Sequence, residues 1–176
     1  MNRSFQNFCL QTCRISICCW IAIAFFFVRV SLRPITSPLV DSVTKLHLLQ
    51  MFFPGYYFAA FSLMILSFVT GLFLWRSPLV RPRMHTAFLI LLGLSLIVST
   101  IDWFWIYKPL DAMVREQLEY FTAPPANFRD YHTASRHINM TSVSFAALAM
   151  LCSFFMSCRS RPLSHAGSQA ESAVSD

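Results

Sequence analysis

Two ionisable residues lie inside long hydrophobic stretches of this 176-residue chain, Arg29 late in the first stretch and Asp102 late in the third. Charged side chains are costly within a bilayer, and where they occur they commonly serve an ion, a substrate or a partner charge. Because odd-numbered spans cross a membrane in the same direction, both residues are expected near the same membrane face. We predict that they pair, and the alternative is that each side chain extends separately to the interface.

A second polar group precedes the fourth hydrophobic stretch. Its members recur at helical spacing and therefore share one face of a helix; they are His132, Ser135, Arg136 and Asn139. At the same membrane level as Arg29 and Asp102, these side chains would form a candidate polar nest that could bind an ion, a lipid headgroup or a small solute. The competing interpretation is a set of internal hydrogen bonds that lock the helix ends together.

Sequence motifs of catalysis and cofactor binding are not found. The sequence has no phosphate-binding loop, no Ser-His-Asp order, no zincin motif and no CxxC pair. The His residues lie in loops or at span ends, whereas a haem bundle usually has paired His within its helices. The Cys residues are interpreted as packing residues with free thiols; the alternatives are acylation of a juxtamembrane thiol or a metal site at Cys9-x-x-x-Cys13. The sequence therefore predicts no catalytic residue, no metal and no cofactor.

The composition indicates that lipid surrounds much of the chain. It is 56% hydrophobic and 12% charged, with 18 Phe and a mean hydropathy of +0.53, whereas a soluble domain carries about 25% charged residues. The net charge is +6, but the basic residues flank hydrophobic stretches instead of forming one patch. That pattern favours anionic headgroups over nucleic acid. The expected partner is the lipid bilayer, with a second copy of the chain as an additional candidate and no soluble substrate.

Four hydrophobic stretches predict four membrane-spanning helices, at about residues 15–32, 50–75, 84–107 and 138–158. The first could instead be the core of a signal peptide, but Arg33-Pro34-Ile35 follows it where a small-residue cleavage site would be needed, which favours an uncleaved helix. Residues 1–14 then form a polar N-terminus, and residues 159–176, rich in Ser and Ala, form a disordered tail. The expected fold is an all-α integral membrane four-helix bundle.

Prolines mark the predicted boundaries of these helices. Pro34 and Pro38 end the first helix, and an amphipathic stretch over residues 39–50 then lies along the interface before the second span. Pro54 is expected to kink the second span. Pro109 ends the third span and begins a short amphipathic helix, which lies on the membrane or caps the bundle between spans three and four.

The positions of basic and aromatic residues predict how the bundle sits in the membrane. Tyr56, Tyr57 and Trp75 are expected at headgroup depth near the ends of the second span. The dense basic turn over residues 76–83 and the basic flanks of both termini favour the cytoplasmic side. The prediction is a plasma membrane or bacterial inner membrane protein with both termini in the cytoplasm.

Three short motifs resemble those of the transmembrane protein 205-like family (domain of unknown function 4149). They are Phe52-Phe53-Pro54-Gly55-Tyr56-Tyr57 in the second span, Ile106-Tyr107-Lys108-Pro109 followed by Met113, and the stretch from Tyr131 to Asn139. The resemblance covers roughly residues 15–158. It departs from the family where glycines are expected before Phe52 and where Tyr131 replaces the commoner Leu. The resemblance implies a small four-span membrane protein of undefined activity, and it supplies no catalytic residues.

These features together predict a small multi-pass membrane protein that is not an enzyme and has a structural or stress-related role. One alternative is a carrier or channel subunit for a small solute or ion, which would use the polar nest and would need to dimerise to form a path. Another is a membrane redox protein that binds haem or a metal through its His and Cys residues.

Overall fold

Helices are the main regular structure in the two stretches that the computed structural model describes, residues 2–120 and 126–157. In chain order they are α1 (Arg3–Phe26), a first π-helical segment (Phe27–Ser31), α2 (Leu32–Thr36), α3 (Ser42–Leu72), α4 (Pro82–Ile101), a second π-helical segment (Asp102–Tyr107), α5 (Lys108–Tyr120) and α6 (Phe128–Phe155). The predicted disordered tail at residues 159–176 lies outside the described residues.

Each π-helical segment joins its neighbouring α-helices without a break, so the elements form four continuous stretches. These are Arg3–Thr36, Ser42–Leu72, Pro82–Tyr120 and Phe128–Phe155, and each is long and apolar enough to cross a membrane. The shortest has 28 residues, or about 42 Å of helix against a hydrocarbon core of about 30 Å. The prediction of an all-helical chain with four candidate membrane spans is confirmed.

The first helix begins much earlier than the predicted span. The side chain of Asn2 caps α1 by accepting a hydrogen bond from the Ser4 amide, 3.2 Å away. Gln6, Cys9 and Cys13 are buried along one face, because residues three and four apart in a helix lie on the same side. Residues 3–14 are therefore part of the packed first helix and not a separate polar N-terminus.

The predicted helix boundaries at Pro34 and Pro109 are wrong. The first helix continues through Pro34 and ends at Thr36, just before Pro38, and most of the predicted 39–50 stretch is continuous with the second span, since α3 runs unbroken from Ser42. Pro109 does not start a new helix, because α5 continues directly from the second π-helical segment. A proline lacks the N–H that an α-helix would use, and the altered hydrogen-bond pattern of the preceding π-helical turns accommodates that loss.

Small residues bring α4 and α6 close together. The hydroxyl of Ser142 lies 2.9 Å from the Ser95 hydroxyl and 2.7 Å from the Ser99 hydroxyl. One and two turns further along α6, Ala146 and Ala149 are fully buried. In lipid, small side chains and interhelical hydrogen bonds replace the hydrophobic effect as the source of helix association, so this seam holds the third and fourth stretches together.

Hydrogen bonds define one end of the molecule. The Arg14 guanidinium donates to the Ser153 carbonyl at 3.0 and 2.9 Å, and the Arg81 amide donates to the Met156 carbonyl at 2.7 Å. The beginning of α1, the turn between α3 and α4 and the end of α6 therefore meet here, and we call this the terminal end. The opposite end, with α2, the second π-helical segment and the start of α6, carries the candidate site.

Candidate functional site

Asp102 is the first residue of the second π-helical segment and is only 1% exposed. Its Oδ2 accepts a hydrogen bond from the Tyr57 hydroxyl of α3, and the buried Ser135 of α6 adjoins both groups. Its Oδ1 is buried without a hydrogen-bond partner in residues 2–120 and 126–157. Buried polar atoms are nearly always hydrogen-bonded, so the orphaned oxygen makes Asp102 the leading candidate for a functional group.

Aromatic rings fix the phenol that contacts this carboxyl. The Tyr57 ring packs against Trp103 and Tyr107 of the second π-helical segment, with ring centroids 5.0 and 4.9 Å away. Those two rings stack on each other at 4.7 Å. Aromatic pairs at these distances favour defined relative orientations, so the hydroxyl of Tyr57 is held toward Asp102.

The neighbouring residue, Tyr56, makes a parallel contact with α6. Its hydroxyl donates to Asn139 Oδ1 at 2.9 Å, while its ring stacks on Phe27 at a centroid distance of 4.4 Å. Adjacent helical positions are about 100° apart, so α3 directs one phenol at Asn139 and the next at Asp102. From the sequence, both tyrosines were expected at headgroup depth, and their hydrogen bonds to Asn139 and Asp102 were not predicted. The sequence feature that could have indicated these bonds is a pair of phenols in a stretch without Asp, Glu, Lys or Arg.

A cleft of about 650 Å³ opens between the first helical stretch and α6. His132, Ser135, Arg136 and Asn139 all line it from α6, as their helical spacing predicts. The wall formed by the first stretch is mainly apolar; it includes Ala24, Phe27, Val28, Leu32 and Ile35 and ends at the polar Thr36. The volume of the cleft is in the range of sites that bind drug-sized molecules.

Arg29 does not join the polar nest. It is exposed, and its guanidinium lies over the ring of Phe25, 5.5 Å from the centroid. The predicted pairing with Asp102 is wrong, because the carboxyl is turned inward to Tyr57 and the salt bridge found in the described part of the chain joins Asp111 to Arg115. The position of each residue along its hydrophobic stretch correctly placed both groups near one end of the molecule. Their side chains point in different directions because each helix has its own rotation about its axis.

Arg29 and Asp102, the two ionisable residues predicted inside membrane spans, both lie in π-helical segments, Arg29 in the first and Asp102 in the second. A π-helical turn inserts a residue relative to an α-helix, which rotates the following side chains by about 100° about the axis. Such turns occur frequently at functional sites. Here they flank the cleft, since Phe27 and Tyr107, one from each segment, line it.

The arrangement offers hydrogen-bonding and cationic groups for a ligand and no assembled metal centre. Within residues 2–120 and 126–157, no three His, Cys, Asp or Glu side chains cluster closely enough to hold a metal ion. No protein-family model, curated protein or solved structure matches the chain. The fold and the site therefore define only a class: an all-helical protein with four helices long and apolar enough to span a membrane, and a cleft with polar residues at one end.

Proposed function

We propose that this chain is a non-enzymatic four-helix membrane bundle that holds one anionic phospholipid in the cleft between the first helical stretch and α6. The observation that carries the proposal is where the polar groups of the cleft lie. His132, Ser135, Arg136 and Asn139 line it from the first part of α6 and form its polar wall, whereas the first stretch contributes mainly apolar residues and Met140 and Val143 of α6 line its deeper part. An amphiphile satisfies both walls at once, because its headgroup can contact polar side chains while its acyl chains cover apolar ones.

The length of the cleft matches a lipid that lies within one leaflet of the bilayer. Its lining runs from Ile21 to Thr36 on one wall and from His132 to Ser144 on the other. At 1.5 Å per residue, these walls are about 23 and 18 Å long. Half of the bilayer core is about 15 Å, so the cleft extends from the headgroup level at the candidate-site end to about the middle of the membrane.

The charge of the polar wall supports an anionic headgroup. Arg136 is exposed at the cleft and makes no salt bridge within the described part of the chain. Asn139 uses its Oδ1 to accept from Tyr56, which leaves its amide N–H groups as donors. A phosphate accepts strong, charge-assisted hydrogen bonds from a guanidinium, so Arg136 and Asn139 are the proposed headgroup contacts.

The terminal end of the bundle is proposed to face the cytoplasm. A dense basic turn with Arg76, Arg81 and Arg83 lies at the terminal end, together with Arg14, and short loops with several basic residues are retained on the cytoplasmic side. Both termini then face the cytoplasm of a plasma or bacterial inner membrane, and α5 extends from the opposite face as an amphipathic helix. Reporter tags at the two termini should indicate the same compartment; opposite compartments would overturn this orientation.

Native mass spectrometry of the detergent-purified protein tests the ligand. We expect one anionic phospholipid to remain bound to the wild type. Ser144→Trp fills the deep part of the cleft and should remove the lipid, whereas Leu148→Trp, one turn further along α6 and outside the cleft lining, should retain it. Arg136→Gln should weaken retention relative to Arg129→Gln, since Arg129 does not line the cleft. Absence of lipid from the wild type, or equal retention by both tryptophan variants, would refute the proposal.

A further inference from the structure

The orphaned oxygen of Asp102 lies deep in the protein, beside a serine that reaches the cleft. We propose that Asp102 binds a proton at Oδ1 and exchanges it with the cleft through the hydroxyl of Ser135. This site is separate from the lipid contacts, and its occupancy does not depend on a bound lipid. It would make the protein a membrane-embedded proton acceptor in addition to a lipid-binding bundle.

Within residues 2–120 and 126–157, the groups that face Asp102 contain no positive charge. α3 contributes the hydroxyl of Tyr57, with Tyr56 next to it, and α6 contributes Ser135. Tyr107, on the same helical stretch as Asp102, packs against Tyr57. An ionised carboxylate among these groups would be a buried charge without a counter-charge, which is the costly state in a membrane interior. A bound proton removes that charge.

The hydrogen-bond pattern indicates which oxygen carries the proton. Oδ2 already accepts from Tyr57, whereas Oδ1 lacks a partner in the described residues. A protonated carboxyl has one O–H donor and retains an accepting oxygen. Placing the proton on Oδ1 turns an orphaned acceptor into a donor, while Oδ2 keeps its bond from Tyr57.

A metal cation fits the site less well than a proton. Hard cations bind six or more oxygen ligands, or keep a shell of water around them. The oxygens beside Asp102 belong to Tyr57 and Ser135, and no metal-binding cluster of His, Cys, Asp or Glu occurs in residues 2–120 and 126–157. Arg29, the other charged group at this depth, lies over Phe25 instead.

The exchange step needs one further reactant, a water molecule in the cleft. Ser135 lines the cleft and adjoins the carboxyl. The Oδ1–H bond of Asp102 breaks as the serine oxygen accepts that proton, and the serine releases its own hydroxyl proton to a water molecule in the cleft. The carboxylate that remains accepts a proton by the reverse route, so the serine is unchanged over a full cycle.

Infrared difference spectroscopy of the full-length protein in phosphatidylcholine vesicles at neutral pH tests the proposal. The wild-type minus Asp102→Asn difference should contain the carbonyl band of a neutral carboxylic acid. The matched control is Asp111→Asn, which removes a carboxylate that pairs with Arg115 at 2.9 Å and should yield carboxylate bands instead. Carboxylate bands for Asp102 would overturn the proposal.

Tyr57→Phe keeps the test decisive where Asp102→Asn fails to fold. Removing the Tyr57 hydrogen bond from Oδ2 should move the neutral-acid carbonyl band to higher frequency, because that oxygen is no longer an acceptor. A wild-type minus Tyr57→Phe difference that shows changes only in carboxylate bands would also overturn the assignment.

Deuterium exchange tests the route through Ser135. On transfer to D2O the neutral-acid band should shift as the proton is replaced, and the shift should be at least several-fold slower in Ser135→Ala. The control is Ser144→Ala, another cleft-lining serine whose hydroxyl bonds to the Met140 carbonyl of its own helix. Equal exchange rates in the wild type and Ser135→Ala would refute the route.

Discussion

The hydroxyl of Tyr57 donates a hydrogen bond to the carboxyl of Asp102, 45 residues away in the chain. The bond joins the second helical stretch to the third in the interior of the protein, where both residues are buried. It links the aromatic packing of the second π-helical segment to the polar wall of the cleft, since Ser135 adjoins both groups.

We expect Tyr57→Phe to lower the free energy of unfolding by about 1 kcal/mol, because interhelical hydrogen bonds in membranes contribute modest amounts. Unfolding in mixed micelles with increasing dodecyl sulfate measures this. In an Asp102→Leu background the same substitution should cost close to nothing, since the acceptor has gone. Equal costs in the two backgrounds would show that the phenol and the carboxyl are not energetically coupled.

Gly71→Ala should destabilise the contact between α3 and α4. A methyl group at Gly71 would lie 2.9 Å from Phe88 Cε1 and 3.1 Å from Leu89 Cδ2, and overpacking of this kind costs about 1–3 kcal/mol. Gly55→Ala is the control in the same helix, because nothing lies within 4 Å of the added carbon there. That variant should be neutral or slightly stabilised. A stable Gly71→Ala protein would show that Phe88 can move aside.

Ser142→Ala should weaken the seam between α4 and α6. The Ser142 hydroxyl contacts the hydroxyls of Ser95 and Ser99 and also donates to the Ser95 carbonyl at 3.1 Å. Its loss should lower the free energy of unfolding by about 1 kcal/mol. Ser144→Ala provides the comparison, since that exposed hydroxyl bonds only within its own helix, and its effect should be close to zero. Equal effects would argue against the seam.

Acidification should loosen the start of α3. The Asp41 side chain caps this helix by accepting from the Thr44 amide at 2.9 Å, and hydrogen bonds from Thr44 hold the pKa of that carboxyl below its usual value. A lowered pKa in the folded state means that the cap stabilises the helix above the ordinary aspartate pKa of about 3.9, and that this stabilisation is lost as the pH falls through the folded-state pKa.

The Thr44 amide proton chemical shift, followed by NMR in detergent micelles between neutral pH and pH values below the ordinary aspartate pKa, reports this cap. It should move with the titration of Asp41 in the wild type. In Asp41→Asn, which caps a helix without ionising, it should stay constant over the same range. A titration that persists in the asparagine variant would assign the effect to another group.

The amino-acid sequence alone was enough to predict the number and approximate position of the candidate spans. Hydrophobicity is a local property that sums along the sequence, so the four stretches could be found without knowing which helices touch. The sequence also predicted that His132, Ser135 and Asn139 share one helix face, because they lie within one uninterrupted α-helix with a regular period.

Only the tertiary structure decided what those residues contact. Asp102 meets Tyr57 rather than Arg29, because the partner of a side chain depends on the rotation of each helix about its axis. The π-helical segments at Phe27–Ser31 and Asp102–Tyr107 alter that rotation by adding residues to a turn. Neither hydropathy nor a fixed helical period contains that information, so the site had to be located from the packed helices.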